Sequence, residues 1–499
     1  MYPQTATPLL TALTTAAQRD HAAFYAPGHK RGQGASPALQ ALVGRGLQAD
    51  LPELPELDNL FAPTGAIAAA QELAAQAFGA EATYFLANGS TCGLEAALLA
   101  VSEPGSQVLI PRNAHQSVFA GLVLAGAAPI YLAPLHDDRW DLAFGVTVAQ
   151  IEQAFQAYPD IQTVVVVSPS YHGVCVDIAA IARCVHQHNA VLIVDEAHGA
   201  HLGWHPDLPQ GAIAAGADIV VQSTHKTLGA MTQASMLHVQ GQRVNRDRLR
   251  QALQLTQSTS PNYLLLASLD AARQQLAMEG TDLLGQTLAI AQQIRSDLQP
   301  LTTVTVLSPA HLPAETYDFR LDPTRLVVDV SGLGLTGFAA DEFLHEQQHV
   351  TAELPTLRQL AFILSLGNRP EDGDRLAAAF AALVRQAEHL RGQDGISVPA
   401  LPDFASPSQL SQPPLTPREA FFARAIAVPL EQAAGQIAAD ALCPYPPGIP
   451  LVLAGERMTA AAIATLQQIH QAGGVITGNP DDTWQTVRVI HSGSAHYSG

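Results

Sequence analysis

Between about residues 61 and 240, short β-branched apolar runs alternate with Ala-rich amphipathic segments, and this pattern constrains the chain more than any other. Short, continuous apolar runs suit strands buried on both faces, and such strands occur in parallel sheets whose crossover connections are helices. The spacing predicts strands at Val108–Pro111, Thr163–Ser168, Val191–Asp195 and Asp218–Gln222. Each run ends in polar residues. Open α/β sheets bind ligands at the carboxyl ends of their strands, so those polar ends are the first place to look for chemistry.

A chain of 499 residues needs more than one core. Residues 261–298 read as long helices leading out of the α/β region. The runs TVTVLS (303–308), RLVVDVSG (325–332) and RQLAFILSLG (358–367) then alternate with helical stretches in an α+β pattern. Six prolines between Pro399 and Pro417 can continue neither a helix nor a central strand and predict a linker. PYPPGIP (444–450) is turn-rich, and one more helix is expected near 458–471. The expected division is an N-terminal arm (1–60), a large α/β domain with a mostly parallel sheet (61–297), a small α+β domain (298–398), and a linker with a C-terminal domain (399–499).

Composition removes several classes of function. A net charge of −19 repels a phosphate backbone, which excludes a general nucleic-acid binder. Cys92, Cys175, Cys184 and Cys443 show no CxxC spacing, which fits reduced thiols in a cytoplasm. No run of about 18 apolar residues occurs and the N-terminus has no leader pattern, so a soluble cytoplasmic protein without a membrane partner is expected.

Four segments put reactive side chains at strand ends. In Gln222-Ser223-Thr224-His225-Lys226-Thr227 a lysine sits among hydroxyls just beyond an apolar strand. Desolvation lowers a lysine pKa and makes it a nucleophile able to form a Schiff base with an aldehyde, while the hydroxyls suit a phosphate. The plain alternative is a solvated surface lysine. In VDEAHGAH (194–201), Asp195 ends a strand, where it could stabilise a protonated ring nitrogen by about 4 kcal/mol at an effective dielectric near 20. A helix N-cap is the alternative there. D-E-A-H also occurs in helicases, but the chain has no GxxxxGK[ST] phosphate loop. His198, His201 and His205 are spaced like metal ligands, so a metal-dependent hydrolase is a rival from another class. Ala87-Asn88-Gly89-Ser90-Thr91-Cys92-Gly93 precedes a helical stretch and suits a phosphate at a helix N-terminus. Arg112-Asn113-Ala114-His115 adds an imidazole at the edge of the same sheet.

These segments, in this order, resemble the fold-type I pyridoxal-phosphate enzymes, and their wording resembles the ornithine/lysine/arginine decarboxylases. The resemblance is carried by YAPGHKRG (25–32), LPELDNLFAPTGAI (54–67), LANGSTCGLEAA (86–97), RNAHQS (112–117), SPSYHGV (168–174), VDEAHGAHLGWH (194–205), STHKTLGAMTQASMLH (223–238) and PYPPGIP. It runs from about residue 8 to 475. It implies that the large domain binds pyridoxal 5'-phosphate, with Lys226 holding the cofactor and Asp195 pairing with the pyridine nitrogen. His115 would stack on the ring, and Ser90, Thr91, Ser223 and His225 would hold or flank the phosphate. His198 joins the cofactor-binding set. QSTSPNY (257–263) matches a stretch that reaches the partner's site in the family, so Ser258 is a candidate contributor across a homodimer interface. Glu456, in LAGERMT, is a candidate partner for the substrate's distal cation, although the family's proline before Gly-Glu is replaced here by alanine. Only about 26 residues precede PGHKRG, which resembles the short form of the family without its N-terminal wing domain. The implied activity is decarboxylation of a basic amino acid, arginine or lysine ahead of ornithine, to agmatine or a diamine. A pyridoxal-phosphate aminotransferase is the alternative on residue pattern alone.

Overall fold

The computed structural model describes residues 2–313, 319–391, 410–445, 450–471 and 474–491. Much of the proline-rich segment (392–409) and residues 446–449 of PYPPGIP lie outside the described residues. The chain divides into two compact units, Met1–Val101 with Val191–Gly285, and Ser102–Ala190 with Gln286–Gly499.

In the first unit the strand order is Ala82–Leu86, Ser235–Val239, Ile219–Gln222, Val191–Asp195. The last two run parallel and the others antiparallel. Val191–Asp195 and Ile219–Gln222 are buried along their whole length, as the apolar runs predict. The helix Ala66–Phe78 ends at Gly79, whose φ of +73° is the left-handed conformation that closes a helix without Cβ strain. Its core joins Leu9, Leu13, Ile67, Phe85, Met236 and Leu266. The long helices expected over 261–298 are a single 36-residue helix, Tyr263–Leu298.

In the second unit Ile161–Val167, Gln107–Pro111 and Ala128–Leu132 are adjacent and parallel, with Leu410–Ser411 antiparallel at the edge. A separate antiparallel sheet orders Thr305–Val306, Arg325–Asp329, Gln359–Ile363 and Leu354–Pro355. Leu326, Val328, Leu360, Phe380 and Leu383 form a core between this sheet and its helices. Towards the C-terminus, Ala425–Pro429 pairs with Thr486–Ile490 over Leu442, Val452, Leu466 and Val489, and the expected helix spans Ala460–Gln471. Among the described residues no helix is long and apolar enough to cross a membrane.

Candidate active site

The chemistry-bearing side chains of the first unit collect where two parallel strands end. Asp195 closes Val191–Asp195 and is 4% exposed, with its Oδ1 accepting the Ala197 N–H at 3.1 Å. The residues that follow form turns rather than a helix, so Asp195 caps nothing. The neighbouring strand, Ile219–Gln222, leads into the one-turn helix Thr224–Thr227, which carries Lys226. Lys226 Nζ lies 2.9 Å from Nε2 of His198, which is buried. His225, half-buried beside Lys226, has its pKa pushed down by burial and then by the lysine's charge.

Ser223 and Ser90 bring together the two hydroxyl-bearing segments. Ser223 Oγ donates to Ser90 Oγ at 2.7 Å. Ser90 and the exposed Thr91 stand in the first turn of the helix Gly89–Val101, whose N-terminal N–H groups and dipole favour an anion. Gly93 sets how close that helix comes: a Cβ there would fall 2.6 Å from Leu86 Cδ1 and 2.8 Å from Val221 Cγ1. Gln257 Oε1 accepts the Ala87 N–H at 2.9 Å, Gln233 Nε2 donates to the Ala87 carbonyl at 2.6 Å, and Ser258 N–H reaches Asn88 Oδ1 at 3.4 Å. Ser258 itself is exposed, and its hydroxyl accepts the Ser260 N–H.

His115 and Glu456 belong to the second unit. His115 is the N-cap of Gln116–Ala125; its Nδ1 accepts the Ser117 N–H at 3.3 Å and lies 2.9 Å from Ser117 Oγ. Glu456 is engaged by Arg112, which donates through Nη1 to Oε1 and through Nη2 to Oε2 at 2.8 Å. Leu453 N–H adds a third bond to Oε2 at 3.0 Å. The carboxylate expected to meet a substrate cation is therefore paired with a guanidinium of its own chain. Burial pulls the Arg112 pKa down, but the bonds and charge of Glu456 outweigh it and hold Arg112 above its ordinary value.

Among the described residues no group of three or more His, Cys, Asp or Glu side chains is arranged to hold a metal ion. The spacing of His198, His201 and His205 does not assemble a ligand set, and the metal-hydrolase rival loses its basis. Sequence reading gave no role to Glu196, Gln222, His238 or Gln257. Glu196 is 2% exposed and pushed up to about 8 by burial, against the lowering bonds of Gln222 and Ala212. Its burial was legible in the apolar strand before it, but its partner Gln222 lies 26 residues away.

The unit thus brings an amine against an imidazole, a buried carboxylate at a strand end and two hydroxyls beside a helix N-terminus. The class is an α/β protein whose reactive side chains stand at the carboxyl ends of parallel strands. The family description "Orn/Lys/Arg decarboxylase, major domain" matches residues 7–372, and "Orn/Lys/Arg decarboxylase, C-terminal domain" matches 404–480. The chain belongs to the Orn/Lys/Arg decarboxylase family and is a decarboxylase. It is 36% identical over 495 residues to the arginine decarboxylase of Halalkalibacterium halodurans, covering 98% of this chain and 99% of that one. It is also 36% identical to the arginine decarboxylase of Bacillus subtilis, over 97% and 98% of the two chains. The fold is shared with the lysine decarboxylase of Francisella novicida at a TM-score of 0.85 and 22% identity, over 98% of this chain and 81% of the other.

Proposed function

We propose that the chain is a pyridoxal-phosphate-dependent decarboxylase that converts arginine to agmatine and CO2. The observation that carries the reading is the joining, within one unit, of Lys226 to His198 at 2.9 Å and of Ser223 to Ser90 at 2.7 Å around the strand end that bears Asp195. Full-length identity to proteins named arginine decarboxylase favours arginine over lysine.

When bound, the cofactor supplies an aldehyde for amines and a ring that accepts the electron pair left when CO2 departs. In this reading Lys226 would hold the cofactor through its amine. His198 Nε2 accepts a proton of the Lys226 amine and so aims it. Asp195 would pair with the ring nitrogen and favour its protonated form, while Ser90, Thr91, Ser223 and His225 would hold or flank the phosphate. His115 would stack on the ring. Glu456 can take the substrate's guanidinium only by releasing that of Arg112, a like-for-like exchange.

We also assign the active unit as a homodimer or higher homo-oligomer with shared sites to which Ser258 contributes. Phe24 is 95% exposed and Leu42 83% exposed on the N-terminal arm, apolar surface that a second copy would cover. The four cysteines show no CxxC spacing, which supports a reducing, cytoplasmic setting. The division into an arm, large, small and C-terminal domains at 60, 297 and 398 is kept as part of this proposal.

The test is to incubate the purified protein and pyridoxal phosphate with arginine, lysine or ornithine and to quantify CO2 and amine. Agmatine as the main product is expected. Faster turnover of lysine or ornithine overturns the substrate assignment, and a keto acid without CO2 overturns decarboxylation.

A further inference from the structure

Behind the strand ends runs a buried polar chain built from side chains that have no role in the proposed chemistry. Glu196 follows Asp195 and Gln222 precedes Ser223. Side chains alternate along a strand, so Glu196 and Gln222 face away from the side on which Asp195 pairs in register with Val221. That opposite side is where Gly93 brings the anion-binding helix against Val221.

The chain is continuous. Ala212 N–H donates to Glu196 Oε1 at 2.7 Å, and Gln222 Nε2 donates to Glu196 Oε2 at 2.7 Å. His238 Nε2 lies 3.0 Å from Gln222 Oε1, and His238 Nδ1 lies 2.8 Å from Thr83 Oγ1. An amide oxygen only accepts, so the His238 proton is on Nε2, and Nδ1 accepts from the Thr83 hydroxyl. Burial keeps His238 neutral, its pKa pushed down to about 3. One side chain from each of the strands Ser235–Val239 and Ala82–Leu86 is thus linked to Gln222 and Glu196.

The backbone ladder stops at this point. Asp195 opposite Val221 is the last paired position, followed by a single Glu196 N–H to Val221 carbonyl bond at 3.0 Å. Beyond it Val191–Asp195 enters turns and Ile219–Gln222 passes through Ser223 into the helix Thr224–Thr227, and Glu196 to Gln222 is the side-chain bond that stands directly at the end of the ladder, with Lys226 to His198 further out. A fully satisfied buried network specifies one arrangement, whereas apolar side chains of similar volume would hold the sheet but not its register of loops.

We propose that Glu196, Gln222, His238 and Thr83 form a positioning device that fixes the ends of the two strands and thereby holds Asp195, Ser223 and Lys226 in one geometry towards the cofactor. The proposal rests on the pyridoxal-phosphate reading above.

The test compares holoenzymes by the visible circular dichroism of the bound cofactor and by steady-state kinetics. Gln222→Met cuts both central links at nearly constant volume. It is expected to retain cofactor with a reduced or shifted dichroic band and to lose roughly 100-fold in kcat, the order that about 1 Å of misplacement costs, with KM within about threefold. Glu196→Gln keeps an acceptor for Ala212 and an amide that Gln222 meets by flipping, so it should recover the band and most of kcat. A Gln222→Met enzyme with wild-type band and kcat and only a lower melting temperature overturns the proposal. So does a Glu196→Gln enzyme as impaired as Gln222→Met. Should Gln222→Met not fold, Thr83→Val deletes one hydroxyl and should shift the band in the same direction with a smaller fall in kcat; a wild-type band and kcat there overturn the proposal equally. Wild-type protein that takes up no pyridoxal phosphate defeats the underlying reading, and the proposal with it, before any variant is compared.

Discussion

Lys226 Nζ lies 2.9 Å from His198 Nε2, and this contact ties the turn that follows one buried strand to the short helix that follows its parallel neighbour. The amine donates, so His198 Nε2 is the accepting, unprotonated ring nitrogen. His198→Ala removes that acceptor while leaving the lysine in place. The expected result is retained cofactor and a kcat lower by roughly 100-fold, the order of a misaimed reacting group. Stopped-flow and steady-state assays check it, and a wild-type kcat contradicts the role.

Asp195→Asn separates charge from shape. The asparagine Oδ1 can still accept the Ala197 N–H that Asp195 accepts at 3.1 Å, so the turn should hold. What is lost is the negative charge, worth about 4 kcal/mol against a facing cation at contact and an effective dielectric near 20. Turnover should fall by roughly 10- to 1000-fold with cofactor still bound. Turnover within tenfold of wild type would leave Asp195 with only a local structural bond.

Glu196 makes stability depend on pH in a stated direction. Its pKa is pushed up by burial from an ordinary 4.5 to about 8, so the folded chain binds this proton more tightly than the unfolded one. The contribution is complete below about pH 4.5 and is lost as pH rises through about 8. Glu196→Gln has no such proton. The melting temperature of wild type minus that of the variant should decline between these limits and level off above them, and parallel curves from pH 5 to 9 would contradict the buried acid.

Asp58 organises the loop before the helix Ala66–Phe78. Its Oδ1 accepts the N–H groups of Asn59 and Thr64, and its Oδ2 those of Gly65, Ile67 and Ala68, at 2.7 to 3.2 Å. Burial pushes its pKa up, but the backbone N–H groups prevail and hold it below the usual carboxylate value. Asp58→Ala should cost about 1–3 kcal/mol by urea unfolding, because several N–H groups lose one acceptor. A loss under about 0.5 kcal/mol, the range of a neutral surface change, would contradict it.

The strands at Val191–Asp195 and Ile219–Gln222 were legible because double burial leaves an unbroken apolar run. Lys226, Asp195 and Ser223 were legible because they stand where such runs stop. Ser235–Val239 was not read as a strand: its His238 breaks the apolar pattern, and that histidine is tolerated only because Gln222 and Thr83, 16 and 155 residues away, satisfy it. The hairpin of Leu135–Asp137 and Leu142–Gly145 was hidden by the charged HDDRWD turn. The Arg112 to Glu456 pair spans 344 residues, beyond any local pattern. In each case the missing information is a partner distant in sequence.

The central claim is that Lys226 carries the cofactor. The chain contains only two lysines, Lys30 and Lys226, so the question has a two-way answer. Lys30 Nζ donates to the Tyr25 carbonyl in the N-terminal arm and has no imidazole beside it among its described bonds. The decisive measurement is borohydride reduction of the protein with pyridoxal phosphate, followed by mass mapping of peptides. The account predicts a pyridoxyl adduct on the peptide holding Lys226, lost in Lys226→Ala together with the visible absorbance. An adduct on Lys30, or none on either lysine, would contradict it.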